Sequence, residues 1–268
     1  MNNNSLNLTK FSKMTLKKHI PNLITLLNLL SGTIAVYFAV KEQLVLAAFF
    51  VFLGIFFDFF DGFFARLLNV QGELGKQLDS LADVVTSGVV PGIVLFQLIT
   101  KSLSEDKWNV GMSFINDITN RNKFDATFFI SIIGLLFTLG AAYRLAKFNI
   151  DERQTSSFIG LPTPAAALVV LSLPLILAYS NNEIADLLIG NLWFLIGLTV
   201  LLCYFMNAEI PLFSLKFKEY SWKNNKVKFV FVAITLLLVV LLQFIAIPIV
   251  IVLYVILSLI DTRFKSIK

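Results

Sequence analysis

Apolar runs long enough to cross a membrane constrain this chain more than any other feature. Residues 229–260 are almost continuously apolar over 32 positions. As one helix this run would be about 48 Å long, against a hydrocarbon core of about 30 Å. We therefore expect it to divide into two spans between residues 243 and 248. With 57% apolar and 15% charged residues, the sequence also departs from soluble domains, in which about 25% are charged. An integral membrane protein is predicted.

Six further apolar segments precede that run, at residues 21–40, 43–68, 76–100, 124–148, 164–179 and 185–206. Together with the divided run they predict about eight transmembrane helices, so the expected fold class is all-α, a polytopic membrane helical bundle. Residues 1–20 mix four lysines with apolar side chains and predict an amphipathic, basic arm on the cytoplasmic surface. Residues 21–206 form the predicted six-helix core, and residues 207–268 a basic loop with two further helices.

Positive charges orient this predicted bundle. With a cytoplasmic N-terminus, 17 of the 22 lysines and arginines fall on the inner side and 5 on the outer side. Because these residues lie beside apolar spans and form no soluble patch, we expect them to face the anionic surface of the lipid bilayer, and we expect no nucleic-acid partner. The predicted location is a bacterial-type cytoplasmic membrane.

Four aspartates interrupt the apolar sequence between residues 58 and 83, in DFFDGFFARLLNVQGELGKQLDSLAD. Asp58 and Asp61 are spaced i, i+3, and Asp79 and Asp83 are spaced i, i+4, so each pair projects from one face of a helix. One predicted helix ends where the next begins, which puts both pairs near the cytoplasmic side. Carboxylates at membrane depth are costly, and four together repel one another unless cations or protons compensate them.

Divalent cations are one explanation of such a cluster. Mg²⁺ and Mn²⁺ prefer carboxylate and phosphate oxygens, and two ions would offset four carboxylates and clamp a diphosphate. Arg66 suits bidentate phosphate binding, and Gly62 and Gly75 would let the backbone approach a bulky ligand. A cation transporter with an acidic ion path is the alternative. The lack of duplicated halves, and a glycine and an arginine that transport does not require, argue against it.

The spacing Asp58-x2-Asp61-Gly62-x2-Ala65-Arg66-x8-Gly75-x3-Asp79-x3-Asp83 resembles the complete signature of the CDP-alcohol phosphatidyltransferases. The resemblance implies an all-helical membrane enzyme, often a homodimer, in which these aspartates bind two divalent cations and the last of them is also the general base. It further implies a CDP-linked lipid donor, held beside Gly62, Ala65, Arg66 and Gly75, that releases CMP. The segment PNLITLLN resembles the part of the family's first helix that lines the nucleotide pocket, through Asn22, Thr25 and Asn28.

Three further segments bear on the acceptor alcohol: DSLADVVTSG, RLAKFN and FIGLPTPAAA. They resemble the branch of this family that transfers to serine, the CDP-diacylglycerol–serine O-phosphatidyltransferases. The chain departs from that branch at Ser87, where Phe is usual, and at Val90, where Ala is usual. The resemblance implies CDP-diacylglycerol and L-serine as substrates. Another acceptor, such as glycerol 3-phosphate or an inositol phosphate, stays open.

Arg144 and Lys147 are spaced i, i+3 at the cytoplasmic end of the fourth predicted span. We interpret them as a subsite for the serine carboxylate or for the lipid phosphate of the donor. Basic residues at cytoplasmic helix ends also commonly anchor lipid headgroups, which is the alternative interpretation. Pro162 and Pro164 are expected to shape the start of a helix near the site.

Overall fold

Helices form nearly all of the regular structure that the computed structural model describes, which covers residues 3–103, 127–151, 158–212 and 222–266, with side chains for 19–103, 127–151, 159–212 and 227–260. Helix α1 spans Asn3–Val40 and α2 spans Leu44–Leu67. Helix α3, Glu73–Asp83, continues through a π-helical segment, Val84–Val89, into α4, Val90–Leu103. The 3₁₀ turn Ile132–Leu135 precedes α5, Leu136–Ile150.

The second half of the chain begins with α6, Thr163–Tyr179, followed by the short α7, Glu183–Ile189, and α8, Leu192–Asn207. Helix α7 is bent by 73° from α8. Helices α9, Trp222–Leu242, and α10, Ala246–Ser266, follow, with the 3₁₀ turn Gln243–Ile245 between them. Two strands, β1 (Phe158–Ile159) and β2 (Pro211–Leu212), pair antiparallel.

The all-α membrane bundle is confirmed. Within the described ranges, five helical stretches are long and apolar enough to cross a membrane, or six if the bent pair α7–α8 is one span. The last of the five, Val227–Ile260, reverses direction at Gln243, whose φ is +49°. The rings of Phe231 and Tyr254 are 5.8 Å apart on either side of that reversal. In one straight helix they would lie about 35 Å apart, so α9 and α10 form a hairpin.

This hairpin agrees with the predicted division of the run 229–260. With the bent pair α7–α8 counted as one span, the hairpin as two helices and the 17-residue α6 included, the described helical segments that resemble spans number eight. Residues 104–126, Arg153 and most lysines between residues 207 and 228 lie outside the residues whose side chains are described. The division into an arm, a six-helix core and a C-terminal part stays a prediction.

The aspartate-bearing helices are held by α1 on one side and by α5 and α6 on the other. Helix α1 packs along α2 and also contacts α3 and the π-helical segment. Small residues permit this approach: Ala35 and Ala39 of α1, and Ala47 and Ala48 of α2, are completely buried. Helix α6 is buried along most of its length and contacts α2, α4 and α10, which makes it the central helix of the bundle. The aspartates therefore stand on helices whose neighbours restrict their movement.

Candidate active site

Three of the four aspartates meet between α2 and α3. One carboxylate oxygen from each of Asp58, Asp61 and Asp79 lies within 4.8 Å of the others. The carboxylates of Asp58 and Asp79 therefore lie close together. Two carboxylates in contact need a shared proton or a cation between them, because their charges otherwise repel.

The donor set fits a divalent cation. Asp61 is only 5% exposed, and the Oδ1 atom of Asp79 is buried without a hydrogen-bond partner among the described residues. A buried carboxylate oxygen without a partner is costly unless a ligand satisfies it, and carboxylate oxygens are the atoms that Mg²⁺ and Mn²⁺ prefer. Asp58, Asp61 and Asp79 are therefore the residues that would hold such an ion.

Asp83 lies one helical turn after Asp79, at the end of α3. It is 9% exposed and interacts electrostatically with Asp79, Asp61 and the Arg144 guanidinium. It also accepts a hydrogen bond of 3.3 Å from the Nδ2 of Asn28. Asp83 is not one of the three carboxylates of the tight group, and its two predicted roles, metal ligand and general base, stay predictions.

Helix α1 supplies hydrogen bonds to both acidic pairs. The Thr25 hydroxyl donates to Asp61 Oδ2 at 2.6 Å, and Asn28 donates to Asp83. Because residues three apart share a helix face, one face of α1 reaches a carboxylate of α2 and a carboxylate of α3. Both α1 side chains are buried, so these bonds are protected from water.

A cavity of about 540 Å³ opens beside the cluster. Asp61 and Asp79 form part of its wall, and the loop between α2 and α3 forms another part. It is also lined by most of the residues predicted for the CDP group: Asn22, Thr25, Gly62, Ala65, Arg66 and Gly75. A side-chain Cβ at position 75 would lie 3.4 Å from Asn22 Oδ1, so glycine there leaves room between α1 and α3.

A second cavity, of about 580 Å³, lies at the opposite end of the bundle. Its wall includes Leu44, Leu98, Pro174 and Ile189, and charged side chains stand at its rim. It contains none of the four aspartates of the signature. The cavity beside Asp61 and Asp79 is therefore the candidate active site, although it is slightly smaller.

A family model described as CDP-alcohol phosphatidyltransferase matches residues 18–205. The chain belongs to the CDP-alcohol phosphatidyltransferase family. The matched range contains all four aspartates and the cavity beside them. Membership of this enzyme family argues against the cation transporter considered above.

Several curated relatives carry one enzyme name. A protein of Bacillus subtilis named CDP-diacylglycerol–serine O-phosphatidyltransferase is 32% identical over 182 residues, covering 66% of this chain and 89% of its own. A Helicobacter pylori protein of the same name is 30% identical over 252 residues and covers 92% of both chains. An archaetidylserine synthase of Methanothermobacter thermautotrophicus is 29% identical over 174 residues, covering 64% of each chain.

The structure gives Arg144 and Lys147 different partners. Arg144 is 7% exposed, its Nη1 lies 3.4 Å from Thr163 Oγ1, and its Nε has no partner among the described residues. Lys147 points away and forms an ion pair of 3.2 Å with Glu209. A common subsite for the two residues stays a prediction.

Asn28 belongs to the predicted nucleotide set but does not line the described wall of the cavity beside Asp61. Its amide is turned toward Asp83 instead. The i, i+3 spacing of the polar residues in α1 predicted a shared face but not which of them would touch nucleotide and which would touch carboxylate.

A polar network between the first two turns of α3 and the end of α5 was not predicted. Lys76 Nζ donates to the Asn149 carbonyl at 2.6 Å, and Asn149 Nδ2 donates to Ser80 Oγ at 2.7 Å. These bonds fasten the end of α5 to the helix that carries Asp79 and Asp83. Asn149 is the last residue of RLAKFN, so the motif was visible although its role was not.

Proposed function

We propose that this protein transfers the phosphatidyl group of CDP-diacylglycerol to the hydroxyl of L-serine, with phosphatidylserine and CMP as products. The observation that carries the proposal is the convergence of Asp58, Asp61 and Asp79 beside a cavity that also contains Arg66. Membership of the CDP-alcohol phosphatidyltransferase family supports the reaction class. The printed names of the relatives support serine as the acceptor.

The cavity suits the CDP part of the donor. Its volume of about 540 Å³ lies within the usual range of roughly 300–1,000 Å³ for small-molecule sites. Arg66 contributes a guanidinium, which pairs well with phosphate oxygens, and Asn22 contributes an amide. Exposed apolar side chains of α2, including Phe59 and Phe63, lie near the aspartates and suit contact with acyl chains.

We propose that the carboxylates hold two divalent cations, Mg²⁺ or Mn²⁺. Asp58, Asp61 and Asp79 would bind the first, and Asp83 would join Asp79 for the second. Such ions supply charge neutralisation of the diphosphate and of the departing CMP phosphate. Thr25 orients the Asp61 carboxylate through its hydrogen bond, as outer-shell groups commonly do.

Asp83 is the proposed general base. The serine hydroxyl oxygen forms a new bond to the phosphorus that carries diacylglycerol, while the bond from this phosphorus to the bridging oxygen breaks. That bridging oxygen leaves with CMP, and the hydroxyl proton passes to Asp83. The Asn28 amide holds one carboxylate oxygen of Asp83 and leaves the other for the proton.

Arg144 is the proposed partner of the serine carboxylate. Its guanidinium is buried, within electrostatic range of Asp83, and its Nε has no partner in the part of the chain that the structure describes. Thr163 begins α6 between Pro162 and Pro164, and its hydroxyl contacts the guanidinium. A buried cation with an unused donor beside the base matches an acceptor that carries a carboxylate.

We expect Arg144→Gln to raise the KM for serine by roughly 10-fold or more, since a charge-assisted hydrogen bond contributes about 1.5–3 kcal/mol. The KM for CDP-diacylglycerol is expected to stay near that of the wild type, because Arg144 does not line the CDP cavity. Initial rates over a range of both substrates give the two constants. Lys147→Gln is the matched control and should leave both constants near wild type. An unchanged serine KM in Arg144→Gln would contradict the assignment.

The function itself is tested with purified protein, CDP-diacylglycerol and single acceptors. L-serine, glycerol 3-phosphate and an inositol phosphate are supplied in turn, and CMP and the lipid product are measured. We expect CMP and phosphatidylserine to form in equal amounts with serine. CMP formation with a different acceptor alone would retain the reaction class and replace the acceptor.

We propose that the active site faces the cytoplasm of a bacterial-type cell and that the protein is a homodimer. The distribution of the 22 lysines and arginines supports this orientation. Single cysteines at positions 73 and 183, in a Cys203→Ala background, test it with a membrane-impermeant thiol reagent on intact cells. Position 183 should be labelled and position 73 protected, and the reverse pattern would overturn the orientation. The mass of the detergent-solubilised protein tests the dimer.

A further inference from the structure

Thr86 lies three residues after Asp83, in the π-helical segment, and is completely buried. Its hydroxyl is 2.8 Å from Asn28 Oδ1 and 3.4 Å from the Asn28 carbonyl oxygen. It does not line the described wall of the cavity beside Asp61. Thr86 therefore contacts a residue that touches Asp83, but is not itself placed against the CDP group.

Two glycines form the slot that holds this threonine. A Cβ at Gly32 of α1 would lie 2.4 Å from Thr86 Oγ1, and a Cβ at Gly54 of α2 would lie 2.6 Å from Thr86 Cγ2. Neither space is wide enough for another methyl group. Both faces of Thr86 are thus in contact with backbone, and its hydroxyl is held toward Asn28.

The hydroxyl also holds the Asn28 amide in the orientation that Asp83 requires. An asparagine side chain has one accepting oxygen and one donating NH₂ group, and the Asp83 carboxylate, which only accepts, requires the NH₂ group on its side. The amide oxygen is then left for the Thr86 hydroxyl, which donates to it and holds the amide in place. With the oxygen accepting from Thr86, the NH₂ group faces Asp83 at 3.3 Å. In the opposite orientation the amide oxygen would face the Asp83 carboxylate, and two acceptors would repel each other.

We propose that Thr86 is a positioning residue for the reaction, acting through Asn28 to hold the Asp83 carboxylate in its reactive orientation. The inference rests on the proposed function, in which Asp83 is the general base. The π-helical geometry supports it, because π-helical turns inside α-helices occur frequently at functional sites. Thr86 has no contact with substrate in this scheme, so its effect appears in turnover and not in donor binding.

Two substitutions separate the hydroxyl from the methyl group. Thr86→Val keeps the shape that Gly32 and Gly54 enclose and removes the donor, whereas Thr86→Ser keeps the donor and removes the methyl group. We expect Thr86→Val to lower kcat roughly 10–100-fold, with an unchanged KM for CDP-diacylglycerol, as is typical when an outer-shell partner is lost. Thr86→Ser is expected to recover most of that loss. Equal losses in both variants, or no loss in Thr86→Val, would overturn the inference.

Thr199→Val is the matched control. Thr199 is also completely buried, but its hydroxyl bonds only to the carbonyl of Leu195 within α8, among the contacts that the structure describes. This substitution should leave kcat near wild type. A loss as large as that of Thr86→Val would show that burial of any threonine accounts for the effect.

A double-mutant cycle tests whether the effect passes through Asn28. In an Asn28→Ala background, Thr86→Val should cause little further loss, because the amide that it orients is gone. Multiplicative losses would overturn the proposed route. A wild-type protein that releases no CMP would instead overturn the proposed function.

A structural measurement tests the positioning role of Thr86 whether or not the protein releases CMP. In an experimental structure of Thr86→Val, the Asn28 side chain is expected to leave its place beside Asp83. An Asn28 side chain that stays 3.3 Å from Asp83 in this variant would overturn the inference.

Discussion

Asp83→Asn is expected to abolish CMP release, with a loss of roughly 10²–10⁴-fold, the usual contribution of a general base. Asparagine has nearly the shape of aspartate and keeps an oxygen that can accept from Asn28, so the local packing of α3 is retained. It cannot take the proton of the serine hydroxyl. CMP release under saturating substrates measures the loss, and size-exclusion chromatography with thermal unfolding checks the fold.

The matched control is Asp186→Asn, at the rim of the cavity at the opposite end of the bundle. We expect this variant to turn over at the wild-type rate. Near wild-type turnover by Asp83→Asn would refute the base assignment and leave Asp83 as a metal ligand at most.

Removal of divalent cations is expected to reduce CMP formation to background, and addition of Mg²⁺ or Mn²⁺ should restore it. The reason is the crowding of Asp58, Asp61 and Asp79, which would leave three charges and a buried oxygen uncompensated. In Asp79→Asn, the metal concentration for half-maximal activity should rise at least about tenfold, since loss of an outer-shell partner alone costs roughly 10–100-fold. A metal titration after treatment with chelator measures both effects.

Thermal unfolding gives the same comparison without turnover. Mn²⁺ should raise the unfolding temperature of the wild type and of Asp186→Asn, but raise that of Asp79→Asn less, because an ion that binds the folded state stabilises it. Full activity in the presence of excess chelator would contradict the metal assignment.

The convergence of Asp58, Asp61 and Asp79 could be predicted because spacing determines which helical residues share a face. Asp58 and Asp61 project from the end of α2, and Asp79 from the start of α3, so a short loop was enough to bring them together. The division of the last apolar run was predicted from length, because one helix would exceed the thickness of the bilayer.

The partners of the buried polar groups could not be predicted in the same way, because they depend on the depth and rotation of each helix. Thr86 illustrates this limit: its spacing from Asp83 is compatible with a shared helix face, but spacing alone does not show that its hydroxyl meets Asn28 of α1, or that the chain is π-helical there. Lys147 has the spacing of an active-site residue but pairs with Glu209, which lies far along the sequence. Ser87 is fully buried, and within the described part of the chain its hydroxyl has no hydrogen-bond partner; nothing in the structure explains it.

The pairing of β1 with β2 makes a boundary after residue 206 a poor place to cut the chain. The backbone N–H of Gly160 donates to the Ile210 carbonyl, and Leu212 is 2% exposed. A protein that stopped at residue 206 would lack β2 and would lose its pairing with β1. Strand β1 lies just before Thr163, the residue that touches Arg144. The shortest active fragment should therefore include β2. Designs that exchange the C-terminal hairpin α9–α10 between relatives should join the two chains after residue 212.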